Sequence, residues 1–121
     1  MTLNKKIKTI CFDIDNVICF TKGSNYRKSR PIKKNIRFIN YLYDNGFIIK
    51  LFTARYMGRN NDNNLKAKKQ GHKLTVSQLK SWKVKYHSLF FGKPSFDVFI
   101  DDKSLFFKKN WIGYLRTKLN S

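Results

Sequence analysis

The stretch CFDIDNV, residues 11–17, places two carboxylates, Asp13 and Asp15, one residue apart at the end of an apolar run. The run leading into it, KTICF, is rich in β-branched and aromatic residues and predicts a buried strand, apolar on both faces. Carboxylates are costly to bury there without a compensating partner. The rest of the chain is read for what could meet that cost.

After this strand, VICFTKGSNYRKSR (17–30) loses periodicity, gains Gly, Ser and Asn, and predicts a loop. Pro31 opens a helix in PIKKNIRFINYLYDNG (31–46), where Ile32, Ile36, Ile39, Leu42 and Tyr43 make one apolar stripe. The pair Asn45-Gly46 closes it, since both residues tolerate a left-handed cap. FIIKLFT (47–53) is a second apolar strand. The polar, basic and Asn-rich segment 54–73 predicts a long mobile loop holding at most one helical turn. Thr75 and Gln78 have the spacing of a capping box, and Leu79 and Trp82 give the helix that follows a buried side. YHSLFFG (86–92) and DVFIDD (97–102) are a third and a fourth strand. The tail, with Phe106, Trp111 and Leu115, predicts an amphipathic closing helix.

This alternation predicts an α/β fold in a single domain, residues 1–121, with helices on both faces of a mainly parallel sheet. A hydrophobic share of 41% fits a packed core and argues against disorder. No apolar run has the length of a membrane span, and the N-terminal residues lack a signal-peptide core, so the chain reads as cytoplasmic. Cys11 and Cys19, taken with His72 and His87, match no zinc-finger spacing. Cys11, mid-strand, reads as a small buried hydrophobe, and His87, beside the third strand, as structural.

Net charge is +19, from 26 basic residues against 7 acids, which favours anionic partners without choosing among them. The acids are more informative. There is no glutamate, and four of the seven aspartates fall in two groups, Asp13 with Asp15 and Asp101 with Asp102. Ligands of open α/β sheets bind beyond the carboxyl ends of the strands, where CFDID, LFT and VFIDD place their polar residues. Carboxylates gathered there repel one another unless a cation lies between them. Hard oxygen donors left partly open select Mg²⁺, and Lys93 in FGKPSFD completes the charge balance. Phosphoryl transfer suits this set, because it needs positioning and neutralisation of charge above all.

CFDIDNV resembles the first motif of the haloacid dehalogenase (HAD) superfamily of phosphatases. LFTAR, FGKPSFD and VFIDD follow in the order of that superfamily's remaining motifs. The wider pattern, from about Lys8 to Ser104, is similar to a small bacterial group linked to capsular polysaccharide biosynthesis. The resemblance implies a HAD-like, Rossmannoid three-layer sandwich without a cap domain, open to substrate. It implies that Asp13 is the nucleophile and a metal ligand, and that Asp15 is the general acid and base with its carbonyl on the metal. Thr53 would bind the phosphoryl group, and Lys93 would neutralise Asp13 and the phosphate. Asp102 would hold Mg²⁺ with Asp101 as its neighbour or alternate. Val17 stands where many members carry Thr. Arg55, two residues beyond Thr53, is expected to touch substrate, with Arg59 and the basic residues 66–73 guiding an anion.

The function expected is hydrolysis of a small phosphorylated metabolite through an aspartyl-phosphate. Two alternatives stay open. One is a nucleic-acid end-processing phosphatase or nucleic-acid binder, suggested by the charge and by aromatic and basic residues interleaved in YHSLFFGK. The other is a non-enzymatic phospho-receiver module. It is disfavoured by motif order, because there the adjacent acidic pair comes first, whereas here DxD does.

Overall fold

The computed structural model describes residues 7–93, 104, 105 and 107–120. The chain divides into two compact units, Thr9–Ser95 and a second made of Met1–Lys8 with Phe96–Ser121. The first unit runs β1 (Thr9–Asp13), β2 (Cys19–Phe20), β3 (Arg30–Pro31), α1 (Lys33–Asp44), β4 (Ile48–Thr53), α2 (Asn64–Ser81) and β5 (Ser88–Phe91). Strands β1, β4 and β5 form a parallel sheet in that order, with Asp13 opposite Phe52 and Thr53 opposite Phe91. The fold is α/β, and no helix among the described residues is long and apolar enough to cross a membrane.

Sheet order follows chain order, so right-handed crossovers put α1 and α2 on the same face. Burial alternates accordingly. Ile49, Leu51 and Thr53 are buried, while Ile48 and Lys50, which alternate with them, are exposed. The expected strand buried on both faces is therefore corrected for β1, where Phe12 is buried and Thr9 and Cys11 are exposed. Cys19 is the buried cysteine instead.

The segment expected to be a loop after β1 contains an antiparallel pair, Cys19 opposite Pro31 and Phe20 opposite Arg30, with a short 3-10 turn at Tyr26–Lys28. Strands of two residues leave no periodic trace in sequence. Helix α1 starts two residues after Pro31 and buries Ile36, Phe38, Ile39 and Leu42, close to the predicted stripe. Gly46 takes a φ of +89° just beyond it, and the Phe47 amide reaches back to the Leu42 carbonyl.

The largest correction concerns residues 54–73. After a 3-10 turn at Gly58–Asn60, helix α2 begins at Asn64 and runs unbroken to Ser81. Its N-cap is Asn63, whose side chain accepts the Lys66 amide at 3.1 Å. Thr75 and Gln78 lie inside this helix and cap nothing. The buried positions of α2 are Ala67, Gly71, Thr75 and Leu79, spaced every four residues. A Cβ at Gly71 would run into the Tyr56 ring, so glycine is what lets the helix come this close.

In the second unit, α3 (Trp111–Leu119) realises the predicted closing helix, with Trp111, Ile112, Leu115 and Leu119 buried. The fourth predicted strand and Phe106 lie outside the described residues.

Candidate functional site

Three side chains expected to work together reach the carboxyl edge of the parallel sheet from three strands. Asp13 is the last residue of β1, Thr53 the last of β4, and Lys93 follows β5 by two residues. The Lys93 amide donates to the Thr53 carbonyl at 3.3 Å, which carries the β4–β5 pairing past the end of β5. Lys93 Nζ then lies 3.2 Å from Asp13 Oδ2. The other oxygen of Asp13 accepts the Ile14 amide at 2.8 Å. Burial pushes the Asp13 carboxyl above its usual range; Lys93 and the Ile14 amide pull it back, and Asp15 raises it further. Asp13 thus carries less positive compensation than its burial calls for.

Thr53 is wholly buried, and its Oγ1 accepts the Arg55 amide at 3.0 Å. This local bond turns the chain sharply as it leaves β4 and sends the Arg55 side chain inward.

Asp15 stands in a tight turn beyond β1, where Asn16 has a φ of +68° and the Ile18 amide returns to the Ile14 carbonyl at 2.9 Å. Its Oδ1 accepts Thr21 Oγ1 at 2.6 Å, Arg55 Nη2 at 2.9 Å and Arg55 Nε at 3.1 Å. The Cys19 thiol lies 3.7 Å from the same oxygen, and burial pushes that thiol up. Oδ2 takes a single contact among the described residues, Arg55 Nε at 3.1 Å.

Arg55 is placed differently from expectation. It is 1% exposed, and its guanidinium donors are taken up by the protein's own acceptors. Its Nη1 donates to Gln78 Oε1 at 2.6 Å and Thr75 Oγ1 at 3.3 Å, and Nη2 also reaches Ser29 Oγ at 3.3 Å. The guanidinium lies 5.0 Å from the centre of the Tyr26 ring. In this arrangement Arg55 is the counter-ion of Asp15. The sequence reading missed Thr75 and Gln78 as its partners because their spacing also spells a helix start.

Asp101 and Asp102 lie outside the described residues, and among those described no group of three His, Cys, Asp or Glu side chains gathers. Of the expected magnesium ligands, Asp13 is a carboxylate at the strand end with Lys93 3.2 Å away. The Asp15 side chain is paired with Arg55 and Thr21, and the metal contact expected of this residue is through its backbone carbonyl.

The basic residues expected in a loop are displayed on a helix, where Lys66, Lys68, Lys69 and Lys73 of α2 are all exposed. Arg59 is exposed as well and lies 4.7 Å over the Tyr56 ring and 5.8 Å over that of Tyr26. His87 has a structural setting: its Nδ1 accepts the Ile49 amide at 3.0 Å, and its ring stacks on Tyr43.

No protein-family model matches the chain, and no curated protein matches it. Among solved structures, the crystal structure of an MCSG target from Vibrio cholerae is similar to it, with a TM-score of 0.76 and 24% identity. The match covers 92% of this chain and 98% of that one. At that identity the likeness shows a shared fold.

Proposed function

We propose that the protein is a Mg²⁺-dependent phosphomonoesterase of the HAD type, built on a capless three-layer Rossmannoid fold. One observation carries the reading: a nucleophile-sized carboxylate, Asp13, with an ammonium group 3.2 Å away, at the strand edge where Thr53 also ends. Asp13 attacks the phosphorus, the bond to the leaving oxygen breaks, and Asp15 supplies that oxygen with a proton. Water then attacks the phosphorus of the acyl phosphate and gives a proton to Asp15. Inorganic phosphate departs and the Asp13 carboxylate is restored. Lys93 neutralises Asp13 in the resting state and the phosphoryl oxygens during transfer, while Thr53 orients them. Asp13 and the Asp15 carbonyl, with Asp102 as the further ligand that the resemblance implies, would hold Mg²⁺, which would supply positive charge to draw phosphate to the carboxylate. The substrate is a small phosphorylated metabolite, and resemblance alone points to surface-polysaccharide assembly.

The test is release of p-nitrophenol from its phosphate ester with and without Mg²⁺. Chelation abolishes turnover, and Asp13→Asn lowers kcat by about 10³-fold or more. Full activity in Asp13→Asn would overturn the reading.

A second reading, a nucleic-acid end as substrate, is favoured by α2. Lys66, Lys69, Lys73 and Lys80 fall on one side of a helix that contains no acidic residue, and all four are exposed. It requires binding to single-stranded DNA that weakens steeply with salt.

A further inference from the structure

We infer that Arg55 is the positioning residue for proton transfer, fixing the Asp15 carboxylate so that Oδ2 alone exchanges a proton with the leaving group; this rests on the phosphatase reading. A guanidinium in a buried setting is costly unless its donors are all engaged. Arg55 meets that condition with all three nitrogens, through acceptors on the turn after β1, the segment before β3, and α2. Gln78 extends the tie, because its amide nitrogen also donates to the Tyr26 carbonyl at 2.6 Å. Apart from Asp15 itself, the groups that set the guanidinium plane, Ser29, Thr75 and Gln78, take no part in phosphoryl transfer.

That plane in turn sets Asp15. Three short contacts fill Oδ1, from Thr21, Nη2 and Nε, and Oδ2 keeps a single shared one. The Asp15 side chain is 21% exposed while that of Arg55 is sealed, so the carboxylate reaches solvent and the cation behind it does not. A proton donor must sit within hydrogen-bond reach of the leaving oxygen. A carboxylate clamped along one side offers one oxygen in one direction, and lysine, a point charge on a flexible stem, cannot reproduce the fork.

Leaving groups that depart unaided do not need the proton, and alkoxides do. The experiment compares the single-turnover rate of leaving-group release from p-nitrophenyl phosphate with that from an alkyl phosphate such as glycerol phosphate, in wild type, Arg55→Lys and Gln78→Met, so that hydrolysis of the shared acyl phosphate does not enter. For Arg55→Lys the alkyl ester is expected to lose about 30-fold or more and the aryl ester no more than about 3-fold. Gln78→Met keeps the guanidinium and removes one of its acceptors, so it shows the same ordering with smaller losses and serves if Arg55→Lys does not fold. Equal losses on both esters, or a rise in KM alone, would overturn the inference while leaving the phosphatase reading intact. Wild-type protein that hydrolyses neither ester would remove both.

Discussion

Burial holds the Asp13 carboxyl above its ordinary 3.8 because desolvation outweighs the Lys93 ammonium and the Ile14 amide. Such a group keeps its proton more tightly when folded than when unfolded. Stability therefore falls as pH rises through a window that opens at 3.8 and closes at the raised value. In chelator, wild type should lose stability relative to Asp13→Asn across that window, read in paired urea melts, and a flat difference would contradict the shift. Asp15 calls for another experiment, since its partner is sealed. Arg55→Ala removes the counter-ion of Asp15 and leaves Thr75 and Gln78 facing a cavity, and should cost about 3–5 kcal/mol. Lys85 and Asp44 are closer, at 2.7 Å, but their side chains are 49% and 55% exposed. There Lys85→Ala should cost less than about 1 kcal/mol. Contact distance alone would rank these pairs the wrong way round.

At the scale of elements, α2 decides whether the polar interior holds together. Its buried edge is Ala67, Gly71, Thr75 and Leu79, and Gly71 admits the Tyr56 ring. Gly71→Ala gains roughly 1 kcal/mol in helix propensity. It forces a repacking that costs roughly 1–3 kcal/mol. The expected net result is a lower urea midpoint, against the propensity trend; a higher midpoint would show that Tyr56 moves aside freely. The same edge explains what could be read beforehand. Asp13, Thr53 and Lys93 were legible because strand-sized apolar runs mark their own ends. Helix α1 was legible from Ile36, Ile39 and Leu42 at helical spacing. The first turns of helix α2, from Asn64 to Lys73, were not, because small and polar residues occupy the positions where periodicity looks for leucine, while its last turns were marked by Leu79. Arg55 was misread for a related reason: its acceptors come from 20, 23, 26 and 40 residues away. Nothing local announces such a cluster. The cysteines test the burial pattern, since Cys11 is exposed and Cys19 buried. Native protein should react with one equivalent of a thiol reagent and urea-unfolded protein with two.

For the molecule as a whole, a charge of +19 on 121 residues is a standing self-repulsion. Raising ionic strength from about 0.01 M to about 1 M shortens the screening length from roughly 30 Å to roughly 3 Å. The thermal midpoint should rise over that range, and an unchanged midpoint would mean that the lysines already stand far enough apart. The parallel sheet imposes a further order of events. Asp13 meets Lys93 across 80 residues of chain, the loop-closing contact of the proposed pocket. During synthesis, then, Asp13 leaves the ribosome 80 residues ahead of Lys93 and waits for its ammonium until the third strand has followed. On the phosphatase reading, a growing chain would lack hydrolytic power at least until that moment, which would keep the carboxylate idle through its most exposed stage.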